Sequence, residues 1–147
     1  MAKAIISEDE IQVVDHVPDW TAAVKMASVP LIRAKVITNE YVDHMIQSVK
    51  ENGPYMVLTD YFALMHARPG EGVNKPGMSL LVTKQSVDLA GKPVKIFLIM
   101  AAVDNTSHLK SLQKVMSVFM DDHSYQTILA GNRQQIITLL KKSEVAK

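Results

Sequence analysis

The residues best suited to chemistry in this chain are two histidines that each follow an apolar run. His66 comes directly after the apolar residues 62–65, and the cation Arg68 follows it. His108 comes shortly after the longest apolar run, residues 96–103. Binding sites in α/β proteins gather where the strands of the sheet end. Both imidazoles are therefore predicted to lie where a buried strand reaches the surface.

The segment before His108 adds a feature that favours anions. Asn105, Thr106 and Ser107 stand where a helix is predicted to begin, and the first turn of a helix has unpaired N–H groups and partial positive charge. If both strand ends lie on one edge of the sheet, these groups surround one site together with the two imidazoles and Arg68. Such a site suits phosphate, and a neutral imidazole within it is a nucleophile that takes up and releases a phosphoryl group.

Structural roles remain an alternative for both histidines, because residue spacing alone does not establish that they converge. The other histidines are expected to be structural: His16 in a turn, His44 off the apolar stripe of a helix, and His123 after two aspartates. The sequence Asp-Asp-His resembles a metal site, but it is also typical of an acidic helix end followed by a new cap. We expect no metal there.

The composition favours a single globular domain and gives no reason to expect a nucleic-acid partner. The chain has 147 residues, of which 48% are hydrophobic and 21% charged, and this is enough for one hydrophobic core. Lys and Arg number 16 and Asp and Glu 15. This near-balance provides no electrostatic attraction for a polyanion.

The absence of cysteine narrows the chemistry further. Disulfides, thiolate metal sites and a cysteine nucleophile are all excluded. The longest apolar run is far shorter than a membrane span, and no secretory signal is recognised. We therefore expect a cytoplasmic protein whose chemistry uses histidine, carboxylate, hydroxyl or lysine groups.

Two helices are predicted before the first of these histidines. One begins at Trp20 and has apolar residues at helical spacings. Pro30 lies within it, and because proline has no N–H to donate, a kink or a break is expected there. The other helix begins after Thr38 or Asn39 and ends at Gly53. Its buried stripe is predicted to be Val42, Met45, Ile46 and Val49.

Strands and further helices follow. Four strands are predicted at residues 55–58, 62–66, 78–82 and 94–101, and the last is apolar enough to be central. Residues 125–130 are predicted to be a short segment before a final helix capped by Asn132. The buried residues of the last two helices are predicted to be Leu109, Leu112, Met116, Phe119, Ile136, Ile137 and Leu140. The fold class is α/β, with helices packed on a sheet.

Three stretches of the chain resemble a known family. They are residues 53–58, residues 63–73 around His66, and residues 101–104 with His108 after them. Together they are similar to the IIA components of the bacterial phosphoenolpyruvate-dependent sugar phosphotransferase system, of the mannitol/fructose type and its ascorbate-specific branch. The resemblance implies one EIIA type-2 domain over residues 1–147. It also implies a mixed β-sheet of about five strands sandwiched between α-helices.

The resemblance further implies a cytoplasmic phosphocarrier. In this family the histidine corresponding to His66 takes a phosphoryl group from phosphohistidine on HPr and passes it to a cysteine of the IIB component. IIB then phosphorylates the sugar, here ascorbate-like, as it enters through the membrane permease IIC. The histidine corresponding to His108 assists by hydrogen bonding and positioning. The candidates for contacts to phosphate or a partner are Arg68, Asn105, Thr106 and Ser107.

The resemblance implies no cofactor and no metal, and it leaves several points open. The transported sugar is not determined, and the oligomeric state is monomer or homodimer. A regulatory domain that reports its phosphorylation state by binding a partner is an alternative function. A metal-dependent hydrolase is a third possibility, and it would need a further ligand beside His66 and His108.

The chain departs from the family pattern at two places near His66. Met65 stands where the family usually has a proline, which would restrict the backbone and remove one N–H. Residues 60–62 are bulkier than the glycine-containing turn that is common before this segment. We expect the bulkier turn to narrow the approach to His66.

Overall fold

A mixed sheet of five strands forms the centre of the computed structural model, which describes residues 6–104 and 109–145. Its order is β1-β4-β5-β3-β2. Parallel pairs join β1 to β4 and β3 to β5, and antiparallel pairs join β4 to β5 and β2 to β3. The central position of β5 was predicted from its unbroken apolar sequence. The strands are β1 (Ile11–Val14), β2 (Val57–Thr59), β3 (Tyr61–Met65), β4 (Gly77–Leu89) and β5 (Lys92–Ala101).

Helices cover both faces of this sheet. Those in the described residues are α1 (Trp20–Arg33), α2 (Asn39–Asn52), α3 (Leu109–Phe119), α4 (Asp122–Leu129) and α5 (Arg133–Val145). Side chains alternate between the two faces along β5: Phe97 and Ile99 pack with α1 and α2, whereas Leu98 packs with the other three helices. The α/β sandwich expected from the sequence is confirmed. None of the helices in the described residues is long and apolar enough to cross a membrane.

Helix α2 follows its sequence pattern closely. All four residues of its predicted stripe are buried, and Tyr41 is buried beside them. Gly53 ends the helix with a φ of 80°, and its N–H donates to the carbonyl of Val49. At the other end, the N–H of Thr38 donates to the carbonyl of Gly72 at 3.0 Å. The start of α2 is thereby attached to the loop that follows β3.

Of the kink or break expected at Pro30, the break does not occur, because α1 continues past it to Arg33. Proline leaves the carbonyl of Met26 without its usual helical donor. The side-chain amide of Gln12 donates to that carbonyl at 2.8 Å. Gln12 belongs to β1, a strand that the sequence pattern did not reveal, so the element that compensates for the proline was missed with it.

Other predicted elements differ in extent. β4 extends to Leu89, well past the predicted 78–82, and in its second half three exposed residues, 84–86, precede the buried Val87 and Leu89. The segment predicted at 125–130 is helix α4, and Asp121 caps it by accepting from the N–H of Ser124 at 3.0 Å. Leu109 is exposed, and Val115 and Val118 are buried on α3 instead.

Candidate active site

Parallel pairing brings the ends of β3 and β5 to one edge of the sheet. Met65, the last residue of β3, pairs with Ile99, and β5 ends shortly afterwards at Ala101. His66 therefore leaves the sheet beside the segment that leads away from β5. The two histidines can converge only if both strands end at the same edge of the sheet. The parallel pairing of β3 and β5 meets this condition.

Two of the predicted site residues lie within the part of the chain that the structure describes. His66 is half-buried and Arg68 is exposed, and both line the same cavity. Asn105, Thr106, Ser107 and His108 lie outside the described residues, so their roles stay predictions.

The ring of His66 is oriented by a hydrogen bond to β3, the strand that precedes it. Its Nδ1 lies 2.9 Å from the carbonyl oxygen of Leu64. A carbonyl oxygen can only accept, so Nδ1 carries the proton of this bond. In the neutral ring the free lone pair is then on Nε2. Nε2 is the atom through which His66 can act as a nucleophile.

An open cavity of about 390 Å³ lies between α2 and the loop after β3. Helix α2 contributes its polar face, which carries residues spaced by about one helical turn. The loop contributes His66 and the residues that follow it. The lining consists of His44, Gln47, Ser48, Glu51, Tyr55, His66, Ala67, Arg68, Pro69 and Glu71.

Tyr55 forms the wall of this cavity beside the imidazole. Its ring meets that of His66 edge to face, with centroids 6.2 Å apart and planes at 84°. Its hydroxyl lies 2.7 Å from Oγ of Ser48. One of the two hydroxyls donates to the other, and their remaining hydrogen-bonding capacity is available to a polar ligand.

The charges around the cavity are mixed. Nδ1 of His44 lies 3.8 Å from a carboxylate oxygen of Glu71, and Arg68 and Glu51 also line the cavity. His44 lies off the apolar stripe of α2, as the sequence predicted. A structural role was expected for it, but the polar face of α2 that carries His44 lines the cavity. The sequence signal for this residue is a histidine on the polar face of a helix whose start lies near the loop that carries the site.

Tyr41 is a second residue that the sequence reasoning missed. Its side chain is 1% exposed. Its hydroxyl donates to the carbonyl of Met100 at 2.5 Å and accepts from the N–H of Ala67 at 3.0 Å. Burial raises the pKa of this hydroxyl, and the Ala67 N–H opposes that shift. The hydroxyl therefore stays protonated and connects the residue after His66 to the end of β5.

The loop after His66 contacts both the segment that follows β5 and the start of α2. The N–H of Gly70 donates to the carbonyl of Ala102 at 3.0 Å. Gly72 has a φ of 75°, and a Cβ at this position would lie 2.8 Å from the backbone nitrogen of Tyr41. Only glycine fits this position without displacing backbone.

The structure shows where the two departures from the family pattern, Met65 and residues 60–62, lie relative to His66. Met65 is fully buried and occupies the last core position of β3. Residues 60–62 lie at the opposite end of β3 from His66, roughly 16 Å away at the rise of a strand. The expectation that they narrow the approach to His66 is therefore wrong.

Among the histidines that the structure describes, His16 and His123 do not line the cavity. His16 is in the loop after β1, and His123 is in the first turn of α4, two residues after the capping Asp121. This is the capping alternative that the sequence allowed for the Asp-Asp-His stretch. Within residues 6–104 and 109–145, no group of three or more His, Asp or Glu side chains could hold a metal ion.

The sequence and the fold of this chain are similar to those of known proteins. The family model described as "Phosphoenolpyruvate-dependent sugar phosphotransferase system, EIIA 2" matches residues 4–143. The ascorbate-specific PTS system EIIA component of Escherichia coli (strain K12) is 30% identical over 132 residues, which is 86% of this chain and 86% of that protein.

Two solved structures are also similar. The mannitol-specific cryptic phosphotransferase enzyme IIA CmtB from Escherichia coli has a TM-score of 0.87 at 28% identity, over 94% of this chain and 96% of that chain. Enzyme IIA mannitol of Escherichia coli, in complex with phosphorylated enzyme IIB mannitol, has a TM-score of 0.76 at 16% identity, over 91% and 95%. The second likeness indicates the same fold.

Proposed function

Because this chain belongs to the EIIA 2 family of the phosphoenolpyruvate-dependent sugar phosphotransferase system, whose members are phosphotransferases that act through a histidine, we propose that His66 carries its phosphoryl group. The observation that carries this proposal is the hydrogen bond from Nδ1 to the Leu64 carbonyl. It leaves a nucleophilic Nε2 on a ring that lines an open cavity.

In the proposed step, Nε2 of neutral His66 attacks the phosphorus of a phosphohistidine on the donor. The bond from phosphorus to Nε2 forms while the bond to the donor nitrogen breaks, and the donor imidazole keeps that electron pair. The His66 ring gains positive charge, which its Nδ1–H shares with the Leu64 carbonyl. No proton enters or leaves His66. When the group moves on, the acceptor attacks the phosphorus, and the bond to Nε2 breaks with its electron pair left on Nε2.

Groups around the cavity suit the charge of the transferred phosphoryl group. The transition state distributes negative charge over three equatorial oxygens. Arg68, His44 and the hydroxyls of Tyr55 and Ser48 line the cavity. We assign Arg68 to the phosphoryl group or to a partner's surface. From the sequence we further propose His108 as a stabilising donor, with the helix start at Asn105, Thr106 and Ser107 contributing N–H groups.

The donor is proposed to be HPr and the acceptor a IIB component, with the membrane permease IIC reached only through IIB. The support is the family itself and the relative that is named as a complex with phosphorylated IIB. An ascorbate-like sugar is proposed because the curated relative at 30% identity is named as ascorbate-specific. This exchange takes place in the cytoplasm, where we propose that the protein acts.

The test is incubation with phosphoenolpyruvate, enzyme I and HPr, followed by intact-mass measurement. We expect the wild type to gain one phosphoryl group that is lost in acid and kept in base, as phosphohistidine is. His66→Gln should remain unmodified. His123→Gln is the matched control, because His123 is exposed on α4 and away from the cavity. Phosphorylation of His66→Gln at the wild-type level would move the site to another residue.

A second measurement follows the phosphoryl group onward. Mixing the phosphorylated protein with a IIB component should transfer the group to IIB, and His108→Ala should accept it but transfer it slowly. Full-speed transfer by His108→Ala would remove the proposed role of His108. Phosphorylation by HPr without transfer to any IIB component would instead indicate the regulatory alternative.

A further inference from the structure

We propose that the hydroxyl of Tyr41 positions His66 for phosphoryl transfer by joining the ends of β3 and β5. This inference rests on the proposed function of His66. Tyr41 does not touch the reacting atoms in our assignment. It acts through the peptide unit that links His66 to Ala67.

The hydroxyl makes contacts on both sides of the gap between the two strands. It accepts from the N–H of Ala67, which belongs to the same peptide unit as the carbonyl of His66. It donates to the carbonyl of Met100, one residue before β5 ends. One oxygen atom therefore fixes the backbone that leaves His66 relative to the backbone of β5.

This connection lies where the strand ladder stops. The last paired residues of β3 and β5 are Met65 and Ile99. Beyond them, the hydroxyl of Tyr41 supplies the next connection, and the hydrogen bond from Gly70 to Ala102 follows. The segment that carries His66 thus stays in a fixed relation to the segment that leads from β5 towards residue 108.

A hydroxyl is required for this role because it donates and accepts at the same time. The side chain is almost completely shielded from solvent, so water does not replace the hydroxyl if it is removed. A phenylalanine would fill the same space and leave the Ala67 N–H and the Met100 carbonyl without this partner. In-line transfer depends steeply on the placement of the attacking atom.

The test compares Tyr41→Phe with Tyr125→Phe. Tyr125 is the matched control, because its hydroxyl also donates to a backbone carbonyl, that of Asp60, but at the opposite end of β3. The measurement is steady-state phosphoryl transfer from phosphorylated HPr through this protein to a IIB component. For Tyr41→Phe we expect kcat to fall about 10- to 100-fold, while KM changes less than about twofold. Tyr125→Phe should keep both values.

A spectroscopic readout separates positioning from stability. Nitrogen-15 NMR of the imidazoles reports which ring nitrogen of His66 carries the proton. In the wild type we expect the Nδ1–H form, and in Tyr41→Phe a rise in the Nε2–H form, because the ring shifts relative to the Leu64 carbonyl. Wild-type kcat and ring signals in a folded but less stable Tyr41→Phe would overturn the proposal.

Each failure can be recognised separately. A wild type that is not phosphorylated on His66 contradicts the proposed function. A wild type that is phosphorylated, with an equally fast Tyr41→Phe, contradicts only the positioning role. If Tyr41→Phe does not fold, 3-fluorotyrosine placed site-specifically at position 41 weakens the accepting oxygen and keeps the side chain. It should lower kcat several-fold, and an unchanged kcat would overturn the proposal.

Discussion

The two ends of β3 use the same chemical group in different surroundings. At the C-terminal end, the buried hydroxyl of Tyr41 contacts two backbone segments. At the N-terminal end, the hydroxyl of Tyr125 contacts one, the carbonyl of Asp60 in an exposed hairpin. Burial, together with the charge of Asp60, raises the pKa of Tyr125 to about 12. The buried hydroxyl at one end fixes two backbone segments relative to each other. The hydroxyl at the other end supports a turn whose carbonyl can also hydrogen-bond to water.

The backbone differs between the two ends as well. Gly72, at the site end, has a positive φ and packs against the backbone of α2. Tyr61, at the hairpin end, has a φ of 70° although it is not glycine. Its ring lies under the ammonium of Lys95, 5.6 Å from the ring centroid. Close packing requires glycine at the site end, whereas the open hairpin accommodates a large side chain at the cost of some strain.

The largest effect that tests this difference is expected from Gly72→Ala. The added Cβ would meet backbone at 2.8 Å, so the loop or the first turn of α2 must move. We expect the free energy of unfolding to fall by about 3 kcal/mol, together with slower phosphorylation of His66. Denaturant unfolding and the HPr assay measure the two effects.

Gly91→Ala is the control for that change. Gly91 also has a positive φ, but an added Cβ there has nothing within 4 Å. It lies in the turn between β4 and β5, at the edge of the sheet away from His66. We expect a loss of about 1 kcal/mol from backbone strain alone. Equal losses for both variants would show that close packing at Gly72 has no special importance.

The next effect is the stability of the two tyrosine variants. Tyr41→Phe leaves a buried carbonyl and the Ala67 N–H without their partner, and we expect a loss of about 2 kcal/mol in the free energy of unfolding. Tyr125→Phe leaves a hairpin carbonyl that water can reach, and about 0.5 kcal/mol is expected. Urea titrations monitored by circular dichroism give both values. The opposite order would contradict the contrast between the ends of β3.

A smaller effect is expected at the hairpin turn. Tyr61→Asn introduces a residue that tolerates positive φ, while it removes the ring beneath Lys95. The gain and the loss offset each other, so we expect stability to change by less than about 0.5 kcal/mol. Phosphorylation of His66 should proceed at the wild-type rate. A faster rate would revive the idea that this turn limits access to the site.

The smallest expected effect is a change in how stability depends on pH under acidic conditions. Hydrogen bonds from the side chain and the backbone of Ser124, with a smaller contribution from His123, lower the pKa of Asp121 below its ordinary 3.8. Because the pKa is lower in the folded protein, the ionised carboxylate stabilises the fold at pH values above the pKa of the unfolded chain. This stabilisation is lost as the pH falls through the pKa of the folded protein. Asp121→Asn keeps an accepting oxygen that does not titrate. It should show a shallower loss of stability on acidification, measured by thermal unfolding at stepped pH.

Local patterns were enough to predict several elements of this fold. Helix α2 was predicted because its stripe, its start and its terminal Gly53 all lie within one short segment. β5 was predicted because its residues 96–101 are apolar without interruption. His66 was found for the same reason, since the end of an apolar run followed by a loop is visible in the sequence.

Contacts between distant segments were not predictable from such patterns. β1 has four residues, and its pairing with β4 joins segments far apart in the chain. The hydroxyl of Tyr41 contacts residues 26 and 59 positions away. The wall formed by α2 beside His66 also depends on how the loop folds back onto the helix. The place of His66 at the end of a strand could be predicted from sequence, whereas the residues that hold and surround it needed the tertiary structure.

The hydrogen bond between His66 and Leu64 has a consequence for protein engineering. Donor and acceptor are two positions apart in the chain, so the orientation of the ring is encoded within a short peptide. Grafting residues 61–68 onto the end of another parallel strand would transfer the oriented imidazole as a unit. A tyrosine on a neighbouring helix of the new scaffold would then be the remaining element to design.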